Sequence, residues 1–246
     1  MNKILTSLNN RLVKTNKSPL SAFLSVEEIR DVAIDNRPRT MGICSILQTT
    51  LDEIIDKERF QGARVLEIGP KYGYHSKWID SNLKPSKLVL LELPEKDGFA
   101  KKWISELKYP HEIIYESIFS CKKLINEEKF DLIFCTGVLY HTVEHFKLLN
   151  ILRRLLKDNG LMLFQTTIAI YIEDLILISW NHPNQKGGYL YPSKSALIKM
   201  LAMTGWDNIR IFTKFRPKSN SILLTCQKSK ELYLSYDGLP FGGSNF

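Results

Sequence analysis

The sequence predicts an α/β fold: a mostly parallel sheet of seven strands, with helices on both faces and an antiparallel hairpin at the end. Short aliphatic runs alternate with longer amphipathic ones through the middle of the chain, which is typical of a parallel sheet covered by helices. The last two strand-like runs are joined by too few residues for a parallel return. The 246 residues suffice for one large core.

The predicted elements follow a strand–helix order. The hydrophobic period predicts strands at 64–68, 87–92, 112–116, 130–135 and 161–167. It predicts helices near 49–57, from 74, at 96–107, at 122 and at 144–157.

Glycines and capping residues predict where helices end. The helix before Leu161 is expected to stop at 158–160, where Gly160 would take the left-handed conformation that ends helices. Ser193 is the expected N-cap of a helix that closes at Gly205. Strands at 208–213 and 221–227 then form the terminal hairpin.

The charge favours an anionic partner without identifying one. Lys and Arg outnumber Asp and Glu by 34 to 26, so the formal charge is +8. RNA, a phosphorylated metabolite or an acidic glycan would be attracted. A basic, solvated surface is the equal alternative, because the cations are spread along the chain and no RNA-binding signature accompanies them.

The cysteines and the apolar runs favour a soluble, cytoplasmic protein without a metal site. The four cysteines form no CxxC pair, so neither zinc nor a disulfide framework is indicated. The N-terminus lacks the apolar core of a signal peptide. The most hydrophobic stretch, 161–180, is interrupted by Gln165, Glu173 and Asp174, which a membrane span would rarely tolerate.

The segment 65–73, VLEIGPKYG, predicts a ligand site. A buried strand runs into a glycine-containing turn and then a helix, and ligands of open α/β sheets bind at such strand ends. Gly69 would permit the turn and Gly73 a close helix contact, while Glu67 would accept hydrogen bonds from a cofactor or nearby backbone. The alternative is a turn that merely needs its glycines.

Glu92 is a second anchor at the end of the next strand. It follows Gly73 by nineteen positions (92 − 73), the spacing at which a carboxylate accepts ribose hydroxyls in a βαβ nucleotide unit. A ribose carboxylate alone does not separate a nicotinamide cofactor from S-adenosylmethionine. The absence of G-x-G-x-x-G favours the latter in part.

Two motifs resemble those of the class I S-adenosylmethionine-dependent methyltransferases, which have a Rossmann-like fold. The segment 67–73, EIGPKYG, is similar to their motif E/D-x-G-x-G-x-G, and 130–141, FDLIFCTGVLYH, is similar to their fourth-strand motif. The sequence GVLYH, together with LLKDNG at 155–160, YPS at 191–193 and GW at 205–206, resembles a particular branch. That branch contains the tRNA wobble-uridine carboxymethyltransferases and related small-molecule methyltransferases.

The resemblance covers 61–213 and implies S-adenosyl-L-methionine as the cofactor. The residues that it places against the cofactor are Glu67, Gly69, Pro70, Lys71, Gly73, Glu92, Leu93, Ser117, Ile118, Cys135 and Gly137. Glu116 is the nearest acid to the adenine position. Lys71 departs from the motif by replacing its central glycine: its ammonium could face the cofactor's carboxylate, weaken binding, or point outward.

The resemblance also places Tyr140 and His141 at the methyl group and its acceptor. A histidine of ordinary pKa could remove a proton near neutral pH, and the tyrosine hydroxyl could orient the acceptor. A packing role for His141 is the alternative, and His145, one helical turn later, is a weaker candidate.

The predicted organisation is an N-terminal helical segment at 1–60 that covers the site, a methyltransferase domain at 61–228 and a tail at 229–246. Arg37 and Arg39 could pair with a phosphate or carboxylate of the acceptor, with solvated surface arginines as the alternative. The apolar run 168–180 of the insertion at 168–191 could be a lid or a subunit contact, with ordinary core packing as the alternative. We expect methyl transfer to an oxygen or nitrogen of a small metabolite or glycan, an anionic one included. The alternatives are a tRNA-modifying enzyme, with RNA as partner, and a catalytically silent cofactor-binding module.

Overall fold

A seven-stranded sheet runs through the centre of the protein. The computed structural model describes residues 46, 48–171, 173–179, 189–212 and 220–230. Within these ranges the strands are β1 Arg64–Ile68, β2 Lys87–Glu92, β3 His111–Tyr115, β4 Phe130–Thr136, β5 Leu156–Thr167, β6 Ile176–Ser179, β7 Tyr189–Pro192, β8 Trp206–Ile211 and β9 Ser221–Lys228.

The strand order in the sheet is β3-β2-β1-β4-β5-β9-β8. Strands β1 to β5 are parallel, while β9 pairs antiparallel with both β5 and β8. The predicted fold class, with its terminal antiparallel hairpin, is therefore confirmed. The carboxyl ends of β1, β2 and β4 meet at one edge, where the chain reverses its direction of progress through the sheet.

Helices cover both faces of this sheet. They are α1 Gln48–Ile54, α2 Tyr74–Leu83, α3 Asp97–Ala100, α4 Lys122–Ile125, α5 His145–Leu155 and α6 Lys194–Met203. Successive strand residues point to opposite faces. Val65 accordingly packs with α1 and α2, whereas Leu66 packs with α5 and α6. None of the described helices is both long and apolar enough to cross a bilayer.

The predicted helix at 96–107 was wrong. The chain instead forms short 3-10 turns at Pro94–Lys96 and Ile104–Glu106 on either side of α3. The break at 101–103 allows Trp103 to be buried against the turn that follows β1, where its indole N–H donates to the Lys71 carbonyl at 2.9 Å. A continuous helix would give up that contact.

The predicted helix end at 158–160 was also wrong. Helix α5 ends at Leu155, and β5 begins at Leu156. Gly160 is not left-handed. Position 160 favours glycine because a Cβ there would lie 2.7 Å from a Leu156 methyl carbon and 3.0 Å from the Asp131 carbonyl oxygen.

The boundaries predicted for the helix after Ser193 agree with the structure, whereas the helix predicted near 49–57 ends at Ile54. The Ser193 hydroxyl accepts the Ala196 N–H at 3.2 Å and caps α6, and Gly205 follows this helix with φ +75°. The insertion at 168–191 contains the small hairpin of β6 and β7. The predictions on Arg37, Arg39, most of the N-terminal segment and the tail from 231 lie outside the described residues.

Candidate active site

The turn after β1 is built from left-handed residues. Gly69, Lys71 and Gly73 have φ angles of 70°, 43° and 71°. The Gly69 N–H donates to the Leu91 carbonyl at 2.9 Å, and the Gly73 N–H donates to the Pro70 carbonyl at 2.8 Å. Glycine adopts this conformation freely, but at Lys71 it costs about 1 to 2 kcal/mol.

Gly73 lies against an aromatic ring as well as at a turn. A Cβ at this position would stand 2.2 Å from Cδ2 of Trp103, far inside contact distance. The close approach expected at Gly73 is therefore present, although its partner is Trp103. The Trp103 ring thus packs against the turn at Gly73 and limits its movement.

Glu92 ends β2 directly beside this turn. Its carboxylate accepts the Lys71 N–H at 2.9 Å and the Leu93 N–H at 2.8 Å. Burial raises the pKa of Glu92 above its usual 4.5, and these two backbone hydrogen bonds only partly oppose the rise. A carboxylate offers about four acceptor positions. Glu92 therefore keeps acceptor capacity for a ligand's hydroxyls.

Glu67, at the end of β1, is fully buried. The Ser76 hydroxyl donates to its Oε2 at 2.5 Å, and His75 Nδ1 lies 3.6 Å from its Oε1. Both partners come from the first turn of α2, whereas the sequence predicted hydrogen bonds from a cofactor or nearby backbone. The contact of Glu67 with a cofactor stays a prediction. Glu67 therefore ties the end of β1 to α2.

His75 connects three parts of this edge. Its Nε2 accepts the Ile46 N–H at 3.0 Å, so the proton of the neutral ring lies on Nδ1. Nδ1 then donates to the Thr136 hydroxyl at 3.2 Å, at the end of β4. This tautomer is inferred from the hydrogen bonds.

The prediction from sequence missed His75, Ser76 and Thr136. Ser76 shares the buried face of α2 with Ile79 and Leu83, at helical spacing. A polar residue on an apolar helix stripe is the signal that could have found it. Thr136 gives no such signal, because its partner lies 61 residues away.

The residues after β3 are held by local hydrogen bonds. The Ser117 hydroxyl accepts the Phe119 N–H at 3.3 Å, and Ile118 packs against the core. Glu116 is exposed and faces the thiol of Cys121. This segment borders the same edge of the sheet as Glu92.

Cys135 and Gly137 differ in what they can offer a ligand. The Cys135 thiol is fully buried in the core, and this burial raises its pKa to about 12. The side chain of Cys135 therefore belongs to the core, and only its backbone can contact a ligand. Gly137 has φ 73° and its N–H donates to the Gln165 carbonyl, so the chain turns sharply after β4.

An aromatic wall follows that turn. Tyr140 and His141 lie in a 3-10 turn at Leu139–His141, and their ring centroids are 4.2 Å apart. Tyr191, from β7 of the insertion, stacks on Tyr140 at 6.0 Å. Val138 comes within 3.5 Å of where a Cβ on Gly69 would lie. The wall therefore stands beside the turn after β1.

The electrostatics of His141 differ from the expectation. Its side chain is exposed to solvent, but the surrounding protein partly desolvates the ring. This desolvation, together with the charges of Lys71 and Lys96, lowers the pKa of His141 from 6.5 to about 4. The imidazole is therefore neutral at physiological pH. It can accept a proton, but only as a weak base.

His145 does not share this position. It is buried at the start of α5 below the 3-10 turn, and burial lowers its pKa against the opposing carbonyls of Leu139 and Thr142. Its ring therefore contributes to the core beneath the wall.

The Lys71 ammonium lies over aromatic rings. Its Nζ is 5.0 Å from the ring centroid of Tyr72 and 5.7 Å from that of Phe99. The side chain is exposed. Its backbone stabilises the turn, because its N–H donates to Glu92 and its carbonyl accepts from Trp103.

Comparison with known proteins shows the family of this fold. A family model described as a methyltransferase domain matches residues 38–211, more than half of the chain. The chain belongs to this family. The prediction of a class I S-adenosylmethionine-dependent methyltransferase domain is therefore confirmed.

One relative of this domain is longer than the part of it that this chain matches. A tRNA U34 carboxymethyltransferase from Campylobacter jejuni subsp. doylei is 29% identical over 199 residues, which are 78% of this chain and 64% of that protein. The chain thus spans somewhat less than two thirds of the relative's length.

Solved structures share the fold at low identity. An S-adenosylmethionine dependent methyltransferase from Mesorhizobium loti has a TM-score of 0.54 at 13% identity, covering 73% of this chain and 96% of that one. The 1,6-didemethyltoxoflavin-N1-methyltransferase of Burkholderia thailandensis, solved with S-adenosylhomocysteine, has a TM-score of 0.55 at 16% identity, covering 74% and 78%.

S-adenosylmethionine is the cofactor of this methyltransferase domain, and the residues present fit it. Glu92 is a buried carboxylate with spare acceptor capacity at the end of β2. The turn from Gly69 to Gly73 presents left-handed backbone at the end of β1, and the Cβ position of Gly73 is filled by the Trp103 ring. Both features lie at the carboxyl edge of the sheet, where such folds bind ligands.

Proposed function

We propose that this methyltransferase domain transfers a methyl group from S-adenosylmethionine to an oxygen or nitrogen of a small metabolite or glycan. The observation that carries the proposal is the aromatic wall of Tyr140, His141 and Tyr191 beside the turn after β1. A wall of stacked rings suits a compact acceptor that must be held in one orientation. The bound cofactor supplies an electrophilic methyl group on its sulfonium.

In this proposal the chain's residues bind and align. Glu92 accepts the ribose hydroxyls, and the backbone from Gly69 to Gly73 carries the rest of the cofactor. Leu93, Ser117, Ile118 and Gly137 border the adenosyl part. Because methyl transfer is an in-line displacement, alignment and the exclusion of water supply most of the rate enhancement.

His141 takes the proton of a hydroxyl acceptor in this proposal, and Tyr140 orients that acceptor. An imidazole with a pKa of about 4 is a weak base when the cleft holds no anion. The charges of Lys71 and Lys96 contribute to this low pKa, and both would attract an anionic acceptor. Binding such an acceptor would raise the pKa of His141 toward the working range.

The direct test is an assay with radiolabelled S-adenosylmethionine on fractionated cell extract. We expect label to appear in a small, anion-exchange-retained product. Calorimetry should show that S-adenosylhomocysteine binds and that NAD does not. Tight S-adenosylhomocysteine binding with no transfer to any fraction would contradict the proposal and favour a silent cofactor-binding module.

A sharper test uses His141→Gln with the identified acceptor. We expect kcat/KM to fall by about 10²- to 10⁴-fold, the usual contribution of a general base. In the wild type, kcat/KM should fall as the pH drops through about 4, with no inflection at 6.5 from this residue. The control is His111→Gln, on an exposed histidine at the start of β3. Equal losses in both variants would rule out a base at His141.

A tRNA-modifying activity is the second candidate. It is supported by the carboxymethyltransferase relative and by the formal charge of +8. Under this alternative, binding of bulk tRNA would fall steeply with salt. Incubation of undermodified tRNA with the protein would then change a wobble nucleoside. Salt-independent, weak RNA binding and an unchanged nucleoside profile would leave the small acceptor as the substrate.

A further inference from the structure

A cavity lies at the end of the sheet opposite to the turn after β1. It has a volume of about 1100 Å³ and is bordered where β5 and β8 begin and where β9 ends. Lys129, Arg153, Trp206 and Lys228 are among its lining residues. None of the residues of the methyltransferase site lines it.

The cavity lining carries an excess of positive charge. Four cationic side chains line it, namely Lys129, Arg153, Lys228 and Lys230, against two carboxylates, Asp158 and Asp207. The carboxylate of Asp207 accepts the backbone N–H of Asn208 at 2.7 Å, which ties it to the local turn. The cations come from separate parts of the chain, and the fold brings them together.

Lys228 is a deeply placed cation of this lining. Its side chain is 8% exposed, and its Nζ lies 3.1 Å from Oδ1 of Asp158, whose own side chain is 93% exposed. Desolvation lowers the pKa of Lys228, and Asp158 does not fully offset it. A buried ammonium with one exposed, easily displaced partner would gain from a second anion.

Arg153 is held rigidly at the wall of the cavity. Its Nε donates to the Gly205 carbonyl at 2.9 Å, and its Nη2 donates to the Ser229 carbonyl at 3.1 Å. These bonds use two of the five N–H donors of the guanidinium. They fix the charge against the ends of α6 and β9.

Trp206 is the aromatic residue of the cavity lining. Its side chain is 2% exposed, it lines the cavity, and its indole N–H lacks a hydrogen-bond partner within the described part of the chain. A buried donor without an acceptor is unfavourable. The ring lies at the wall of the cavity and can report on a ligand bound there.

We propose that this cavity binds a phosphate group. A phosphate offers several acceptor oxygens and close to two negative charges, which match a lining that holds four cations. The volume exceeds that of phosphate alone, so the cavity has room for a larger molecule that carries the phosphate. The phosphate belongs either to a small phosphorylated metabolite or to a nucleic-acid backbone, and both present the same chemistry to the lining.

The test uses the indole N–H signals of the full-length, ¹⁵N-labelled protein. The chain has four tryptophans, so their signals can be assigned by Trp-to-Phe variants. Trp103 reports on the turn after β1, whereas Trp206 reports on the basic cavity. Titration with inorganic phosphate should shift the Trp206 signal and leave that of Trp103 unchanged. S-adenosylhomocysteine should shift Trp103 alone.

The source of the phosphate is distinguished by two further titrations. Uridine monophosphate and a short single-stranded RNA are compared with inorganic phosphate at two salt concentrations. Tighter binding of the nucleotide, with a shallow salt dependence, would identify a small metabolite. Tighter binding of the RNA, with a steep salt dependence, would identify a nucleic-acid backbone.

The deciding variant is Lys129→Gln/Lys230→Gln, since both lysines are exposed and their loss should leave the fold intact. We expect phosphate affinity at Trp206 to fall roughly 5- to 30-fold, as two exposed charges contribute about 1 kcal/mol each at most. The matched control, Lys102→Gln/Lys108→Gln, removes the same charge from exposed positions outside the cavity. An unmoved Trp206 signal in the wild type, or equal losses in both variants, would overturn the proposal. S-adenosylhomocysteine binding should be normal in either variant, so failure here is separate from failure of the proposed methyl transfer.

Discussion

The two ends of the sheet differ in what shapes their candidate binding sites. At the carboxyl end, the turn from Gly69 to Gly73 is shaped by backbone conformation, with three left-handed residues and a ring in contact with Gly73. At the amino end, the basic cavity is lined by long side chains, of which Arg153 is pinned to two carbonyls. The carboxyl end is therefore shaped by a constrained backbone, and the amino end by charged side chains.

This difference predicts where single substitutions matter. Adding atoms to the carboxyl-end turn should perturb folding and cofactor binding together, because the backbone there has no room to adjust. Removing a flexible charge at the amino end should affect binding alone. The following predictions test this contrast, from the largest expected effect to the smallest.

Gly73→Ala should destabilise the protein by about 2 to 5 kcal/mol. Overpacking costs about 1 to 3 kcal/mol and a left-handed alanine about 1 to 2 kcal/mol. The added Cβ would displace Trp103, whose indole bond to the Lys71 carbonyl should be lost. Urea denaturation measures the loss of stability, and the Trp103 indole signal reports the broken bond.

The control is Gly62→Ala, which has φ +71° and open space around the added atom. It should show only the backbone cost of about 1 to 2 kcal/mol. Equal destabilisation in the two variants would mean that the Trp103 ring moves aside at little energetic cost. The backbone at the carboxyl end would then not be rigid.

Glu92→Gln should weaken S-adenosylhomocysteine binding by about 10- to 100-fold. A hydrogen bond to a charged group contributes about 1.5 to 3 kcal/mol, and the amide lacks that charge. The Trp206 signal at the other end should stay unchanged. Calorimetry measures the affinity, with Glu95→Gln as the control on an exposed glutamate three residues later.

The same carboxylate predicts a pH dependence. Burial raises the pKa of Glu92, so on acidification it takes up a proton earlier than an ordinary glutamate does. Affinity for S-adenosylhomocysteine should therefore be full above this raised pKa and be lost as the pH falls through it. Glu92→Gln should not show this loss. An unchanged affinity in Glu92→Gln at neutral pH would remove this residue from the cofactor site.

The sheet was predictable from the sequence because its signals are local. Alternating periodicities and one short connection predict the parallel strands and the terminal hairpin, and Glu67 and Glu92 follow as residues at strand ends. The contacts that shape the site are not local. Trp103 meets Gly73 across thirty positions (103 − 73), and this contact divides the predicted helix at 96–107.

The glycine at 160 shows a second limit. A glycine after a helical run predicts a left-handed helix end, but the same residue also appears wherever a side chain would collide with a neighbour. Only the folded positions of Leu156 and Asp131 reveal the second reason.

The basic cavity shows the same limit. Lys129, Arg153 and Lys228 are far apart in the sequence, and their common cavity depends on the packing of α5 and β9.

Lys71→Gly is the mildest change and the one that separates the roles open to this lysine. Glycine relieves the left-handed strain of about 1 to 2 kcal/mol but adds about 0.5 to 1 kcal/mol of backbone entropy to the unfolded chain, so stability should rise by at most about 1.5 kcal/mol. Because the ammonium lies over the Tyr72 and Phe99 rings, S-adenosylhomocysteine affinity should change by less than about fivefold.

The informative readout for this variant is the titration of His141 followed by NMR. Lys71 and Lys96 both lower the pKa of His141 through their charges, so removing either lysine should raise it. Lys96→Gln is therefore the matched control, since it removes a charge without changing the left-handed turn. A tenfold loss of affinity confined to Lys71→Gly would instead put the ammonium on the cofactor's carboxylate. A tenfold gain would mean that the side chain obstructs the cofactor.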